Sequence, residues 1–205
     1  VAASIPSHAP PPDVMAVAAV RGEVLHGLLE DNLLDDERFA RARWEAAAYG
    51  KGLSPDVVVQ GWPSVAAQLA TLRESPEAAA VLAAPGYAEL AVRLVRGRVT
   101  LDGRIDRLCR DPADGAWMVV DYKSVRASAE GAEVLAEHRE QLLAYSVAAS
   151  RVLEAKGQGC VRRAALLLTR TGRLHRLPDW TDADFAELDA LLDTVAAALD
   201  REVAR

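Results

Sequence analysis

Apolar residues at Val17, Val20, Val24, Leu25, Leu28 and Leu29 recur at three- and four-residue intervals, which places them on one helical face. Asp13 follows a run of prolines and is the expected N-cap, and the pattern stops at Asp31-Asn32. Residues 36–50 read as a second helix that ends at Gly50-Lys51-Gly52. Asp56 to about Ala84 reads as helical, with breaks near Pro63 and Ser75-Pro76 and an end before Pro85-Gly86.

From Tyr87 the period shortens. Residues 88–94 alternate in part and turn at Arg96-Gly97 into Val99 to Leu108. Trp117 to Tyr122 is an apolar, β-rich run beyond a turn at Asp111 to Gly115, so three strands in a meander are expected. Glu137 to about Lys156 reads as a helix ended by Gly157. Val161 to Thr169 reads as a strand, with Arg173 to Leu177 as a short partner. Thr181 with Asp184 is a capping pair that opens a terminal helix. This order predicts an α/β fold, a central mixed β-sheet flanked by helices with a helical N-terminal part. The expected division is a linker remnant at 1–12 and a single domain at 13–205. Within that domain, residues 13–85 are helical, 86–178 form the sheet core, and 181–203 form the terminal helix.

The chain has 205 residues and a net charge of −6. No stretch approaches the roughly 18 apolar residues of a membrane span, and the start lacks the secretory progression. Cys109 and Cys160 are too few for a disulfide framework, so a cytoplasmic setting without membrane contact is expected. A start at Val1 followed by Pro10-Pro11-Pro12 reads as a linker exposed by excision from a longer chain. The acidic balance argues against a free-standing nucleic-acid binder, because affinity for DNA comes mainly from Lys and Arg on phosphates. It weighs less against a domain to which another module delivers DNA.

Gly103-Arg104-Ile105-Asp106-Arg107 puts Asp106 on the strand face opposite Ile105 and Arg107. In Val119-Val120-Asp121-Tyr122-Lys123, Asp121 and Lys123 share a face. Asp106 and Asp121 are 15 residues apart across a short turn, so antiparallel neighbours can set them side by side. Two carboxylates forced together at a core edge repel, and a divalent ion relieves this. Oxygen ligands with open positions suit Mg²⁺ or Mn²⁺. An Asp-x-Lys at a strand end is, taken alone, an ordinary exposed ion pair.

The ordered set is more specific than its parts. Asp121-Tyr122-Lys123 after a buried strand is preceded by Gly103-x-x-Asp106 and followed by Gln141-x-x-x-Tyr145. Upstream lies Arg21-Gly22-Glu23-Val24-Leu25-His26. Together these resemble the RecB-like branch of the PD-(D/E)XK nucleases, closest in look to the nuclease end of AddA-type, UvrD-like helicase–nucleases. The resemblance implies a restriction-endonuclease-like core and a Mg²⁺- or Mn²⁺-dependent deoxyribonuclease, with exonuclease action favoured over endonuclease. It implies Asp106, Asp121 and Lys123 as catalytic residues. His26, Asp106, Asp121 and the Tyr122 carbonyl would be metal ligands, and Gln141 and Tyr145 would contact DNA. Glu89 is a candidate for the family's first-strand glutamate. The implied partners are DNA, a helicase portion of the same parent chain and a second helicase–nuclease subunit, in DNA-end processing and repair.

Ser124-Val125 replaces the Thr-Asp that follows the lysine in many relatives, and two cysteines cannot hold the four-cysteine iron–sulfur cluster of a related subfamily. No phosphate-binding loop of the Gly-x-x-x-x-Gly-Lys type occurs, so a motor must lie elsewhere. Arg162-Arg163 and Arg170 to Arg173 read as solvated edges. The rival readings are an inactive PD-(D/E)XK domain that binds DNA or acts as a scaffold, and an unrelated interaction domain in which these residues do not converge.

Overall fold

The computed structural model describes residues 12–124 and 131–203. The expected linker lies outside these residues except for Pro12, as does Val125. The chain divides into two compact units at Ala70–Thr71, and each is described by itself.

The first unit is helical. Helix α1 (Pro12–Glu30) already includes Asp13. Proline suits a first turn, where its missing N–H has no intrahelical partner. The predicted stripe is buried, with Val24, Leu25, Leu28 and Leu29 all 1% exposed or less. Helix α2 (Glu37–Gly50) is capped by the Asp36 carboxylate, which accepts from the Phe39 N–H at 2.9 Å. It buries Ala40, Trp44 and Ala48, one turn apart. The Trp44 indole donates to the Val58 carbonyl at 3.0 Å, and Gly61 leaves room for its ring. Helix α3 (Pro55–Glu74) spans the division and runs through Pro63 instead of breaking there. The carbonyl that Pro63 deprives of a donor belongs to solvent-exposed Val59.

The second unit carries the short helix α4 (Pro76–Ala83) and a five-stranded sheet in the order β1-β2-β3-β4-β5. Strands β1 (Gly86–Arg96), β2 (Val99–Arg110) and β3 (Trp117–Lys123) form the antiparallel meander. Strand β4 (Arg163–Leu168) is parallel to β3, and β5 (Arg173–Arg176) returns antiparallel at the edge. The two parallel strands are buried on both faces, which explains their unbroken apolar runs. Helix α5 (Gly131–Glu154) makes the crossover between them and starts six residues before the expected Glu137. The extra turns bring Val134 into the core on the same ridge as Leu142. Helix α6 (Asp182–Val203) opens with the predicted cap: the Thr181 N–H donates to Asp184 at 2.8 Å and the Asp184 N–H to the Thr181 hydroxyl at 3.3 Å.

One core joins β1–β4 to α5 and α6 through Ile105, Val119, Leu142, Leu143, Leu166 and Leu192. At the sheet end away from Lys123, buried Asp111 accepts from Arg176 and Arg163 and ties β5 and β4 to the β2–β3 turn. Burial works to raise the Asp111 carboxyl, but the Arg176 and Arg163 guanidiniums and the Ala113 amide hold it below its ordinary range. The predicted solvated Arg162-Arg163 edge is in fact a set of ion pairs, Arg162 to Asp182 and Arg163 to Asp111, Asp114 and Asp179. Among the described residues no helix is long and apolar enough to cross a membrane. Truncating Leu166 to alanine at the fully buried centre of β4 is expected to cost about 2–5 kcal/mol, read by urea unfolding.

Candidate active site

Strand pairing itself creates the site. The β2–β3 ladder runs from Arg110↔Trp117 to Arg107↔Val120 and stops one step short of Asp106 and Asp121. There the Asp106 carboxylate replaces a backbone acceptor and takes the Tyr122 N–H at 2.6 Å. The N–H and C=O of one extended residue point to the same side. The Tyr122 carbonyl is therefore directed to the Asp106 side as well.

The β1–β2 ladder is interrupted at the same level. Ala88 pairs with Arg107 and Leu90 with Ile105, but Glu89 and Asp106 between them do not pair. Glu89 has φ +53°, a left-handed conformation that costs a non-glycine residue roughly 1–2 kcal/mol. Its carboxylate brings an oxygen within 4.8 Å of one from Asp106. One Glu89 oxygen accepts from Arg104 at 2.8 Å, and the other is buried without a hydrogen bond. Backbone strain of this kind concentrates at functional sites.

Asp121 is 3% exposed and Asp106 7%. Burial pushes the Asp121 carboxyl above its ordinary range and the Asp106 charge adds to this, while Lys123 and His138 oppose it. The Lys123 ammonium lies 2.8 Å from Asp121 Oδ2, as the shared face predicts. Glu89, Asp106 and Asp121 thus bring three carboxylates to this corner, with Lys123 against Asp121 and Arg104 against Glu89. Buried oxygen ligands of this kind fit a hard divalent cation.

Helix α5 closes the site from the other side. Gln141 Nε2 donates to the Tyr145 hydroxyl at 3.1 Å, so the predicted pair is joined along one face. The Tyr145 ring rests on Gly103 of β2, where an added Cβ would lie 2.6 Å from Cε1. Glycine is required for that approach. The Ser124 hydroxyl is engaged with Thr169 at 2.7 Å, bridging the ends of β3 and β4. Cys109 is buried, and burial pushes its thiol up to about 11, which leaves it a packed and inert group.

The structure thus brings together Asp106, Asp121 and Lys123, and seats Gln141 and Tyr145 against β2. His26 belongs to the first unit, where it is half-buried on α1 with Nδ1 against the Glu30 carboxylate. His138 was not singled out in the sequence, although the helix expected from Glu137 contains it. Its signal was the spacing of three and seven residues before Gln141 and Tyr145.

The family model of the PD-(D/E)XK nuclease superfamily matches residues 5–205, and the chain belongs to this superfamily. Its nucleases are generally metal-dependent. No curated protein matches the chain.

A raised carboxyl pKa binds its proton more tightly in the folded state. Stability is therefore lost as pH rises from the unfolded pKa through the folded one, and at neutral pH the ionised Asp121 is a cost. Asp121→Asn should raise the metal-free melting temperature by a few degrees at pH 7, with the difference shrinking toward pH 4. It should also abolish any rise that Mn²⁺ gives the native chain. Calorimetric scans with and without Mn²⁺ check both.

Proposed function

We propose that the chain is a Mg²⁺- or Mn²⁺-dependent deoxyribonuclease that hydrolyses phosphodiester bonds. The observation that carries this reading is the buried Asp106–Asp121 pair at the opening of the β2–β3 ladder, with Lys123 at 2.8 Å from Asp121. Asp106, Asp121 and the Tyr122 carbonyl would hold the cation. When bound, such an ion polarises a phosphoryl oxygen and lowers the pKa of a water.

The chain's own groups supply the rest. Lys123, on the substrate side of Asp121, orients the attacking water and offsets the charge that builds on the phosphate. Gln141 and Tyr145 present an amide and a hydroxyl on the helix side, suited to hold the strand. His26 enters this reading from its sequence motif, as a further ligand.

The net charge of −6 favours a module to which DNA is delivered over a free scavenger. This supports the helicase–nuclease setting, in which a motor of the same parent protein feeds DNA ends and exonuclease action is the natural outcome. End processing in recombinational repair is the corresponding role.

Linear single- and double-stranded DNA should be cleaved with Mn²⁺ or Mg²⁺ and not with EDTA. Asp121→Ala should reduce cleavage to background, and Lys123→Ala should lower kcat by about 10²–10³. Cleavage that survives EDTA or Asp121→Ala would refute the proposal. DNA binding without any cleavage would identify an inactive, scaffolding member of the superfamily instead.

A further inference from the structure

We propose that His138 is a substrate-binding residue of this site, donating a hydrogen bond to a backbone phosphate of bound DNA. The inference rests on the nuclease reading above and names a contact that the sequence motifs do not include.

Three observations converge. His138 lies four residues after Val134 and four before Leu142, which are 3% and 0% exposed, so it occupies the sheet-facing ridge of α5. It nevertheless remains half-buried rather than enclosed in the core. The helix connects β3 to the parallel β4 and therefore runs antiparallel to both. Its early turns lie at the end of β3 that delivers Asp121 and Lys123, and His138 is near enough to Asp121 to act on its carboxyl.

The neighbouring cation cannot take this part. Arg139 is committed to Asp184 and Glu140 and lies over the Trp180 ring, 5.2 Å from its centroid. A cation held by the carboxylates would meet the scissile phosphate, so a neighbouring phosphate needs donors from helix α5. His138, Gln141 and Tyr145 form such a row. Seven residues at a rise of about 1.5 Å span about 10 Å. One DNA strand advances roughly 3.4 Å per nucleotide, so the row can follow a strand over two or three nucleotides.

The test measures fluorescence anisotropy of labelled single-stranded and duplex oligonucleotides with Ca²⁺ in place of the catalytic ion. Alongside it, Mn²⁺ affinity is measured by calorimetry without DNA. His138→Ala should weaken DNA binding about tenfold or more, the size of a lost hydrogen bond to a charged group. His138→Gln, which keeps a donor, should recover much of it, and Mn²⁺ affinity should be unchanged in both variants.

Undiminished DNA affinity in His138→Ala would overturn the assignment. So would an equal loss in both variants with a lowered melting temperature, a loss of Mn²⁺ affinity, or a native protein that binds no DNA. Binding is read without cleavage, so the two proposals fail separately. A native protein that cuts DNA while His138→Ala binds normally refutes only this inference. A His138-dependent binder that never cuts refutes only the nuclease reading.

Discussion

Two like charges, Asp106 and Asp121, are held at one end of the β2–β3 ladder, and much of the second unit is arranged around the cost of keeping them there. Both side chains are largely withdrawn from bulk water, and their mutual repulsion adds to the desolvation that raises Asp121. The partial remedies are visible. The Tyr122 amide donates to one, the Lys123 ammonium faces the other, and the strands separate at the point where the acids would otherwise pair across the ladder. A divalent cation, as proposed, would offset the repulsion that remains between them. An ordinary structural ion pair would not need the adjacent strain at Glu89.

The surrounding fold gives the pair its rigidity. Strand β3 is buried on both faces between β2 and β4, so Asp121 and Lys123 project from a backbone with little freedom. The far end of the same strands is locked by Asp111 with Arg163 and Arg176, which prevents the sheet from sliding in register. A one-residue slip would turn Asp121 to the other face. Gly103 lets the Tyr145 ring lie on β2, and this fixes the rotation of α5 and hence the direction of Gln141 and His138.

The meander, the apolar run of β3 and the shared face of Asp121 and Lys123 were legible because they depend on local alternation and spacing alone. The Gly103-x-x-Asp106 and Gln141-x-x-x-Tyr145 spacings were legible for the same reason, through their resemblance to a superfamily to which the chain belongs. The positive φ of Glu89 was not, since no local preference puts a glutamate in that region and only tertiary packing holds it there. Residues 131–136 carry no capping signature, so the start of α5 was placed late, and the ridge on which His138 lies with Val134 was not visible. Pro63 misled in the other direction: a break is the general rule, but the carbonyl it orphans sits at exposed Val59. Local rules thus gave the strands and spacings, whereas the strained corner and the helix ridge depend on contacts far apart in the chain.

The central claim is that the Asp106–Asp121 pair is a cation site, and the most direct measurement is anomalous diffraction from crystals of the chain soaked in Mn²⁺. The account predicts a single dominant peak between the two carboxylates, within coordination distance of both and of the Tyr122 carbonyl, that vanishes in Asp121→Asn. A crystal with Mn²⁺ bound elsewhere and none between Asp106 and Asp121 would contradict it.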